Sequence, residues 1–266
     1  MSLTAQDLLQ SLSAYPQPQR YLVAFSGGVD SHVLLHLLWQ LREQGHSMPM
    51  QAIHVHHGLQ DSADQWAVHC QSICAELDIP YTLLKVHAHA QAGQSPEAAA
   101  RDARYDALAS CVQTGDALLT AHHQDDQAET LLLQLMRGAG VAGLAAMPAC
   151  CDFAGGVHLR PMLAFARAQI QDYAREQGLQ WIEDTSNQDP AFDRNFVRHQ
   201  VMPLLQGRWP GASKCLARSA EHAAESSHLQ DMLAAMDLQT VVANEPARLA
   251  IAALSGLPEE RQRNVV

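Results

Sequence analysis

Arg20-Tyr-Leu-Val-Ala-Phe-Ser-Gly-Gly-Val-Asp-Ser31 is the stretch that decides the fold of the first half of the chain. A run of β-branched and aromatic residues stops at Ser26, two glycines follow, and a leucine-rich run begins at Val33. This order predicts a strand, a tight turn and the N-terminus of a helix. The free N–H groups and the dipole of the helix favour an anion in such a turn, and glycines let that anion come close. The stretch therefore predicts a phosphate-binding site.

The side chains of this turn extend the prediction to a metal ion. Ser26 and Ser31 add hydroxyl donors, and Asp30 can hold magnesium against bound phosphates. The turn has no lysine, which separates it from the kinase-type phosphate loop, and its glycines do not follow the dinucleotide-binding spacing. An ordinary strand-to-helix turn is the alternative. The predicted cofactor-binding residues are Ser26, Gly27, Gly28, Val29, Asp30 and Ser31.

Length and composition limit the class of protein. The 266 residues are enough for one large domain or two smaller ones. No apolar run reaches the roughly 18 residues of a membrane-spanning helix, and the N-terminus lacks the basic and apolar regions of a signal peptide. None of the six cysteines has Cys-x-x-Cys spacing, which disfavours zinc ribbons and iron–sulfur sites. These features predict a cytoplasmic protein with free thiols and no membrane partner.

The charge balance argues mildly against nucleic-acid binding. The formal net charge is −11, whereas phosphate backbones attract Lys and Arg. Basic residues nevertheless concentrate between positions 160 and 220, which predicts a local basic face on an acidic protein. These residues are Arg160, Arg167, Arg175, Arg194, Arg198, Arg208, Lys214 and Arg218.

Strand and helix patterns alternate through the first half of the chain. We predict strands at 21–25, 51–55, 81–86 and 117–120, and helices at 4–13, 31–43, 61–77, 95–111 and 125–137. This alternation predicts an α/β fold with a doubly wound, mainly parallel sheet, whose ligands bind at the carboxyl ends of the strands. The segments 26–31, 54–58 and 120–126 all follow strand ends, so we expect them to line one crevice.

The second half of the chain is predicted to be mostly helical. We predict a strand at 157–160, a helix at 166–177, a short extended piece at 181–182, a long helix at 212–236 and a strand at 248–253. The division that follows is a catalytic domain at 1–210 and, at 211–266, a helical linker with the start of a second domain. Since the last residues carry no helix-end or turn signal, we expect the second domain to be truncated.

A second chemical signal lies in His122-His-Gln-Asp-Asp-Gln-Ala-Glu-Thr130. Asp126 and Glu129 are three positions apart at the start of a predicted helix and therefore share a face. Such paired carboxylates could hold magnesium or position an amine by charge. Plain capping is the alternative, because acids stabilise a helix N-terminus by roughly 0.3–1 kcal/mol each. The position beside the phosphate loop, on the same edge of the sheet, favours a functional pair.

The whole set of motifs resembles one family. The Ser-Gly-Gly-x-Asp-Ser turn is similar to the pyrophosphate loop of ATP pyrophosphatases, whose fold is adenine nucleotide alpha hydrolase-like. Segments 54–59, 97–105, 122–138, 159–163, 181–189 and 194–199 follow in the order found in tRNA(Ile)-lysidine synthases. The resemblance covers roughly residues 20 to 205.

This resemblance implies a two-step ligation that uses ATP and Mg²⁺. ATP would adenylate the C2 oxygen of the wobble cytidine, position 34, of an isoleucine tRNA with a CAU anticodon, and pyrophosphate would leave. The ε-amine of free L-lysine would then attack C2 and displace AMP. A carboxylate or a desolvated pocket must help to deprotonate that amine near neutral pH. The family also implies tRNA-gripping domains after the catalytic one and makes a homodimer plausible.

The same resemblance assigns roles to individual side chains. Asp126 and Glu129 would recognise the lysine ammonium group or coordinate magnesium, and Asp30 would assist the metal. Arg101, Arg104 and Arg194 would hold phosphate or stabilise developing negative charge. For the two arginines of the predicted helix at 95–111, ion pairs with Glu97 or Asp102 are the alternative. The catalytic prediction comprises Asp126, Glu129, Arg194 and Arg104, and the metal prediction comprises Asp30 and Asp126.

Several alternatives remain open from the sequence alone. A tRNA thiolase uses the same adenylation chemistry but needs a catalytic cysteine or a cluster, and a nucleotide-binding module without activity needs only the loop. His54, His56 and His57 could suggest zinc, although no third well-spaced ligand supports it, and contact with the adenine base is favoured. Cys70 and Cys74 share a helix face and are predicted to be small core or surface residues.

Overall fold

The structure is a computed structural model, and it describes residues 2–56, 63–86, 96–183, 189, 191–242 and 248–266. The strands are β1 (Arg20–Ala24), β2 (Met50–His56), β3 (Tyr81–Lys85), β4 (Asp116–Leu119), β5 (Cys150–Phe153) and β6 (Gly156–Leu159). They form one six-stranded sheet in the order β3-β2-β1-β4-β6-β5. All neighbouring pairs are parallel except the hairpin of β5 and β6 at the edge.

The helices of the first part connect these strands. They are α1 (Ala5–Leu12), α2 (Val29–Glu43), α3 (Ala63–Glu76), α4 (Pro96–Ala109), α5 (Gln124–Met136), α6 (Val141–Leu144) and α7 (Arg167–Glu176). The later helices are α8 (Asp193–Phe196), a π-helical turn (Val197–Val201), α9 (Met202–Arg208), α10 (Ala212–Val241), α11 (Ile251–Ser255) and α12 (Glu259–Val265). No helix in the described ranges is long and apolar enough to cross a bilayer.

Helices cover both faces of the sheet, because the central strands are apolar on both sides. On one face, Val23 and Leu119 pack into a large core with the leucines of α2. On the other face, Leu22 and Leu118 pack with Leu108 of α4. Strands that are buried on both faces are typical of parallel sheets. The prediction of a doubly wound, mainly parallel sheet followed by a mostly helical segment is therefore confirmed.

Two strands differ between the prediction and the structure. The edge strand β5 was not predicted, and it pairs with β6 through a turn in which Ala154 has a φ of 51°. The predicted strand at 248–253 is wrong, since one bridge joins Val242 to Leu249 and α11 follows. Short apolar runs do not separate strand from helix, and the alanines of this run favour the helix.

The long helix α10 is attached to the sheet domain at its first turn. It packs against α5 and α6. Ser213 Oγ donates to Asp125 Oδ1 at 2.8 Å, and Asp125 Oδ2 accepts from the backbone N–H of Arg167 at 2.9 Å. Asp125 therefore ties α10 to α5 and to the start of α7. The assignment of 211–266 to a linker and a second domain stays a prediction.

Candidate functional site

The loop between β1 and α2 is a turn with its own hydrogen bonds. Ser26 Oγ accepts from the Gly28 N–H at 3.3 Å and lies 3.1 Å from Ser31 Oγ, which donates to the Gly28 carbonyl at 3.0 Å. Gly28 is the N-cap of α2, and no side chain caps this helix. The amides of the first turn, from Val29 onward, are therefore open to an anion. The structure brings the six predicted loop residues together in this turn.

Gly27 is the one loop position where the backbone demands glycine. Its φ is +84°, and a Cβ placed there would lie 2.9 Å from Cys70 Sγ. Its carbonyl accepts from the Ile182 N–H at 3.0 Å, which joins the loop to the predicted extended piece. The close approach of α3 and of the 181–182 segment fixes the loop from behind.

We expect Gly27→Ala to lower the free energy of unfolding by more than Gly45→Ala and to abolish nucleotide binding. Both positions have positive φ, with Gly45 at +90°, but no heavy atom lies within 4 Å of a Cβ at Gly45. Gly45→Ala should therefore show backbone strain alone, about 1–3 kcal/mol. Urea denaturation and ATP titration of both variants measure the difference. Equal losses of stability, with ATP binding intact, would contradict the assigned role of Gly27.

The start of α5 connects the loop to the predicted carboxylate pair. His123 is the N-cap of α5: its Nδ1 accepts from the Asp126 N–H at 3.3 Å, and Asp126 Oδ2 accepts from the His123 N–H at 3.1 Å. Because Nδ1 is an acceptor, the proton is on Nε2. Nε2 lies 3.5 Å from Asp126 Oδ2 and 3.7 Å from Asp30 Oδ2. One imidazole thus bridges the loop and the helix.

Arg198 holds the two carboxylates of α5, and the sequence analysis did not select it as a site residue. Its Nε donates to Glu129 Oε1 at 2.7 Å, and its Nη2 donates to Glu129 Oε2 at 2.7 Å and to Asp126 Oδ1 at 2.8 Å. Arg198 lies in the π-helical turn, a local geometry that is frequent at functional sites. Its place in the segment 194–199 was the available signal.

Arg194 lies in α8, one turn before Arg198, and makes different contacts. Its Nη2 donates to Thr130 Oγ1 at 2.6 Å, and its Nε lies 3.6 Å from Glu129 Oε2 without a hydrogen-bond partner among the described residues. Arg194 therefore adds positive charge beside Glu129, and its buried Nε–H is available to donate a hydrogen bond. The prediction that Arg194 belongs to this site agrees with its placement, and its catalytic role stays a prediction.

The acids of the site differ in the direction of their pKa shifts. Burial raises the pKa of Asp30, and the charges of Arg167 and Arg198 oppose this only in part. Burial likewise raises the pKa of Glu129 against the bonds from Arg198. Burial acts to raise the pKa of Asp126 too, but the nearby charges of Arg194 and Arg198 act against it, and this pKa is low. Asp126 is therefore the firmly ionised member, and Glu129 is the better proton acceptor.

The residues present fit a magnesium ion at Asp30. Asp30 Oδ1 is buried and has no hydrogen-bond partner in the described part of the chain. Asp126 has both oxygens engaged, by Arg198 and by the cap of α5. Magnesium usually binds one or two carboxylates together with substrate phosphates. Asp30 thus has a free carboxylate oxygen, and the predictions that Asp30 and Asp126 bind metal stay predictions.

Arg101 and Arg104 lie on α4 around the ring of Tyr105. Their guanidinium carbons are 4.9 Å and 5.5 Å from the ring centroid. The charge of Arg104 also reaches His122, whose pKa it helps to lower. The side chain of Glu97, one of the two ion-pair partners considered, is outside the described residues. The predicted role of Arg104 stays a prediction.

The predicted local basic face is only partly formed. Arg160 and Arg198 turn inward, and Arg160 is 7% exposed. Arg160 Nη1 donates to the Pro148 carbonyl at 2.7 Å, within the protein interior. Three of the eight basic residues, counting Arg194, therefore serve buried contacts rather than a continuous surface.

The histidines and cysteines that could suggest zinc have other contacts. His54 Nδ1 bonds to the Phe25 carbonyl at 2.8 Å, and His56 Nε2 lies 3.2 Å from Asp64 Oδ1. The described ranges hold no group of three metal-ligating side chains. Burial raises the pKa of Cys70 and of Cys74 to about 12, which makes both poor nucleophiles. Residues 57–62 and 184–188, which include His57, lie outside the described residues.

The fold and the loop together define a class of nucleotide-binding protein. A family model described as the PP-loop domain matches residues 1–205, and the chain belongs to this family. ATP binding goes with that domain.

The relatives in this family are more specific than the domain. The chain is 49% identical to the tRNA(Ile)-lysidine synthase of Pseudomonas fluorescens over 97% of this chain and 60% of that protein. It is 43% identical to the tRNA(Ile)-lysidine synthase of Coxiella burnetii over 99% of this chain and 58% of that protein. The chain spans about three fifths of the length of these curated relatives.

A solved structure shows the same fold at low identity. The U34-tRNA thiolase NcsA from Methanococcus maripaludis, with its 4Fe–4S cluster, aligns with a TM-score of 0.67 at 17% identity. The alignment covers 83% of this chain and 78% of that one. This likeness supports the fold.

Proposed function

We propose that the chain is the catalytic part of an enzyme that ligates lysine to C2 of the wobble cytidine of isoleucine tRNA with a CAU anticodon. The reaction consumes ATP and releases AMP and pyrophosphate. The observation that carries the proposal is the single imidazole of His123 between Asp30 of the loop and Asp126 of α5. It supports the proposal that the turn after β1 binds phosphate and that the carboxylate pair of α5 binds the amine in the same crevice. The identity to curated lysidine synthases over nearly the whole chain supports this choice of substrates.

The loop is proposed to bind the β- and γ-phosphates of ATP. Open amides at the start of α2, with the hydroxyls of Ser26 and Ser31, suit an anion. Magnesium at Asp30, when bound, would neutralise charge on the pyrophosphate that leaves. Asp30 lies in the first turn of α2, and its Oδ2 is 3.7 Å from Nε2 of His123.

The carboxylate pair is proposed to receive the lysine ε-ammonium group. Each carboxylate can accept more hydrogen bonds than Arg198 supplies, so an ammonium group can join the pair. Glu129, whose pKa burial raises, is then the residue that takes the proton before the amine attacks C2. Asp126 stays ionised and holds the ammonium group by charge.

The arginines are proposed to stabilise the negative charge that develops on the adenylate. Arg194 has a buried donor without a partner among the described residues, and the charge of Arg104 reaches the neighbouring His122. A guanidinium group suits phosphate oxygens, because its donors are planar and paired.

The parts beyond the sheet domain are proposed to serve tRNA binding. Residues 211–266 would form a helical linker and the start of a tRNA-contacting domain, and a homodimer would place two such units together. Free cysteines suit a reducing cytoplasm as the place of reaction.

Transfer of labelled lysine tests the proposal directly. The protein that carries this chain, with ATP and Mg²⁺, should label a transcript of isoleucine tRNA with a CAU anticodon. A matched transcript with U at position 34 should stay unlabelled, because its C2 carbonyl belongs to a different base. Asp126→Asn should remove the labelling and leave ATP binding in place.

Two other results would contradict the assignment. Incorporation of sulfur from a thiol donor, instead of lysine, would move the function to tRNA thiolation. ATP binding without pyrophosphate release, in the presence of both lysine and the C34 transcript, would indicate a nucleotide-binding module without this activity.

A further inference from the structure

Four polar side chains form a row of hydrogen bonds from the interior to the crevice. We call Arg160, His158, Thr120 and His122 the histidine relay. Arg160 Nη2 lies 3.1 Å from His158 Nδ1, and His158 Nε2 lies 2.8 Å from Thr120 Oγ1. Thr120 Oγ1 also lies 2.8 Å from His122 Nδ1. The relay joins the ends of β4 and β6, and its last member immediately precedes the cap of α5.

The arginine sets the direction of every hydrogen bond in the relay. A guanidinium group has donors only, so His158 Nδ1 must accept. His158 then carries its proton on Nε2 and donates to Thr120 Oγ1. The hydroxyl proton of Thr120 is left to donate to His122 Nδ1. The opposite direction would leave this buried hydroxyl proton without an acceptor in the described part of the chain.

His122 therefore carries its proton on Nε2. Burial, together with the charges of Arg160, Arg194 and Arg104, lowers the pKa of His122 to about 3, so that the ring is neutral. Burial and the charge of Arg160 likewise lower the pKa of His158 to about 3. The half-buried ring of His122 can thus offer the crevice one N–H donor and no lone pair.

We propose that His122 is a catalytic hydrogen-bond donor whose Nε2–H binds a phosphoryl oxygen of the nucleotide as cytidine is adenylated. Thr120, His158 and Arg160 are positioning residues that fix this tautomer. The inference rests on the proposed function for the identity of the oxygen. It also assigns the removal of the lysine proton to another group, since Nδ1 of His122 is occupied by Thr120.

The tautomer is measurable without any enzymatic assay. Long-range proton–nitrogen NMR of the protein labelled at histidine nitrogen should show His122 protonated on Nε2 and unprotonated on Nδ1 at pH 7. Loss of one signal in His122→Gln assigns the resonance among the 15 histidines. Thr120→Val should release the constraint and mix the two tautomers, whereas Thr120→Ser keeps the hydroxyl and should recover the wild-type pattern.

The kinetic test separates a donor from a base. Gln can place an amide N–H near the position of Nε2, whereas the shorter Asn cannot. We expect His122→Asn to lower kcat for pyrophosphate release roughly 100-fold, as loss of one preorganised donor does, with KM for lysine unchanged. His122→Gln should retain most of the rate. A general base would lose its activity equally in both variants.

Three results would overturn the inference. The first is an Nδ1–H tautomer of His122 in the wild-type protein. The second is equal loss of pyrophosphate release in His122→Gln and His122→Asn, and the third concerns the response to nucleotide. Addition of Mg²⁺ and ATP should shift the Nε2–H resonance even if lysine is never transferred. A shift without lysine transfer would contradict the proposed function and support the donor role of His122. Lysine transfer without a shift would support the proposed function and contradict the donor role.

Discussion

Arg198→Ala is expected to lower the free energy of unfolding by about 3–5 kcal/mol and to abolish lysine transfer. The substitution removes three charge-assisted hydrogen bonds from Asp126 and Glu129. Glu129 is only 3% exposed, so its charge has little water to replace the arginine. Removal of one partner of a buried ion pair costs this much, because the other charge stays behind unpaired. Urea denaturation and the labelled-lysine assay measure the two effects.

A surface pair provides the matched control for this prediction. Arg175 Nη1 lies 2.8 Å from Asp172 Oδ1, and both side chains are more than 60% exposed. Arg175→Ala should therefore cost no more than about 1 kcal/mol and leave lysine transfer intact. If the two alanine variants lose similar stability, the guanidinium group of Arg198 does not hold the carboxylate pair.

A second variant separates stability from activity at Arg198. Glu129→Gln in the Arg198→Ala background removes the uncompensated charge, so part of the lost stability should return. Lysine transfer should stay absent, because the variant lacks both the guanidinium group of Arg198 and the carboxylate of Glu129 that would accept the proton. Recovery of activity in the double variant would show that Glu129 has no chemical role.

Asp30→Asn is expected to lower the rate of pyrophosphate release by at least about 100-fold without loss of stability. The free Oδ1 of Asp30 is the ligand proposed for magnesium, and a metal ion contributes several kcal/mol of charge stabilisation to phosphoryl chemistry. At about 1.4 kcal/mol per tenfold change, even a part of this exceeds two orders of magnitude. Titration with Mg²⁺ during turnover should show that the variant needs a higher Mg²⁺ concentration for its half-maximal rate.

The difference in stability between Asp30→Asn and the wild type should increase with pH. Because burial raises the pKa of Asp30, the folded protein holds this proton more tightly than the unfolded chain. The contribution of protonated Asp30 to the free energy of unfolding is present in acid. It is lost as the pH rises through the pKa of Asp30 in the folded protein. The variant should therefore match the wild type in acid and exceed it at neutral pH, as measured by urea denaturation.

Asp172→Asn removes one surface charge and is the control for Asp30→Asn. It should change neither the magnesium requirement nor the difference in stability between acid and neutral pH. A large loss of turnover in Asp30→Asn with an unchanged magnesium requirement would contradict the assignment of Asp30 as the metal ligand.

The fold and the phosphate loop could be predicted because their signals are local. The strand, glycine turn and helix at 20–43 follow from neighbouring residues, and the alternation of strands and helices follows from periodicity. The capping box of α1, formed by Thr4 and Asp7 three positions later, is a local feature of the same kind. The strand at 248–253 was wrong because periodicity does not separate strand from helix in a short apolar run, and the helix propensity of its alanines was not weighed.

The position of the carboxylate pair beside the loop was also predictable, because parallel strands place their carboxyl ends at one edge. β1 and β4 are neighbours in the sheet, so the turn after β1 and the start of α5 had to meet. The sequence by itself therefore determined the fold class, the loop and the membership of Asp30, Asp126 and Glu129 in one crevice.

Only the tertiary structure decided which groups control those acids. Arg198 is about 70 positions from its partners, and the relay joins Thr120 to His158 across 38 positions. Such pairings leave no periodicity and no fixed spacing, because they depend on how β6 and the π-helical turn pack against β4 and α5. Hydrogen-bond direction and burial follow from that packing, and they determine which acid stays ionised and which histidine nitrogen carries the proton.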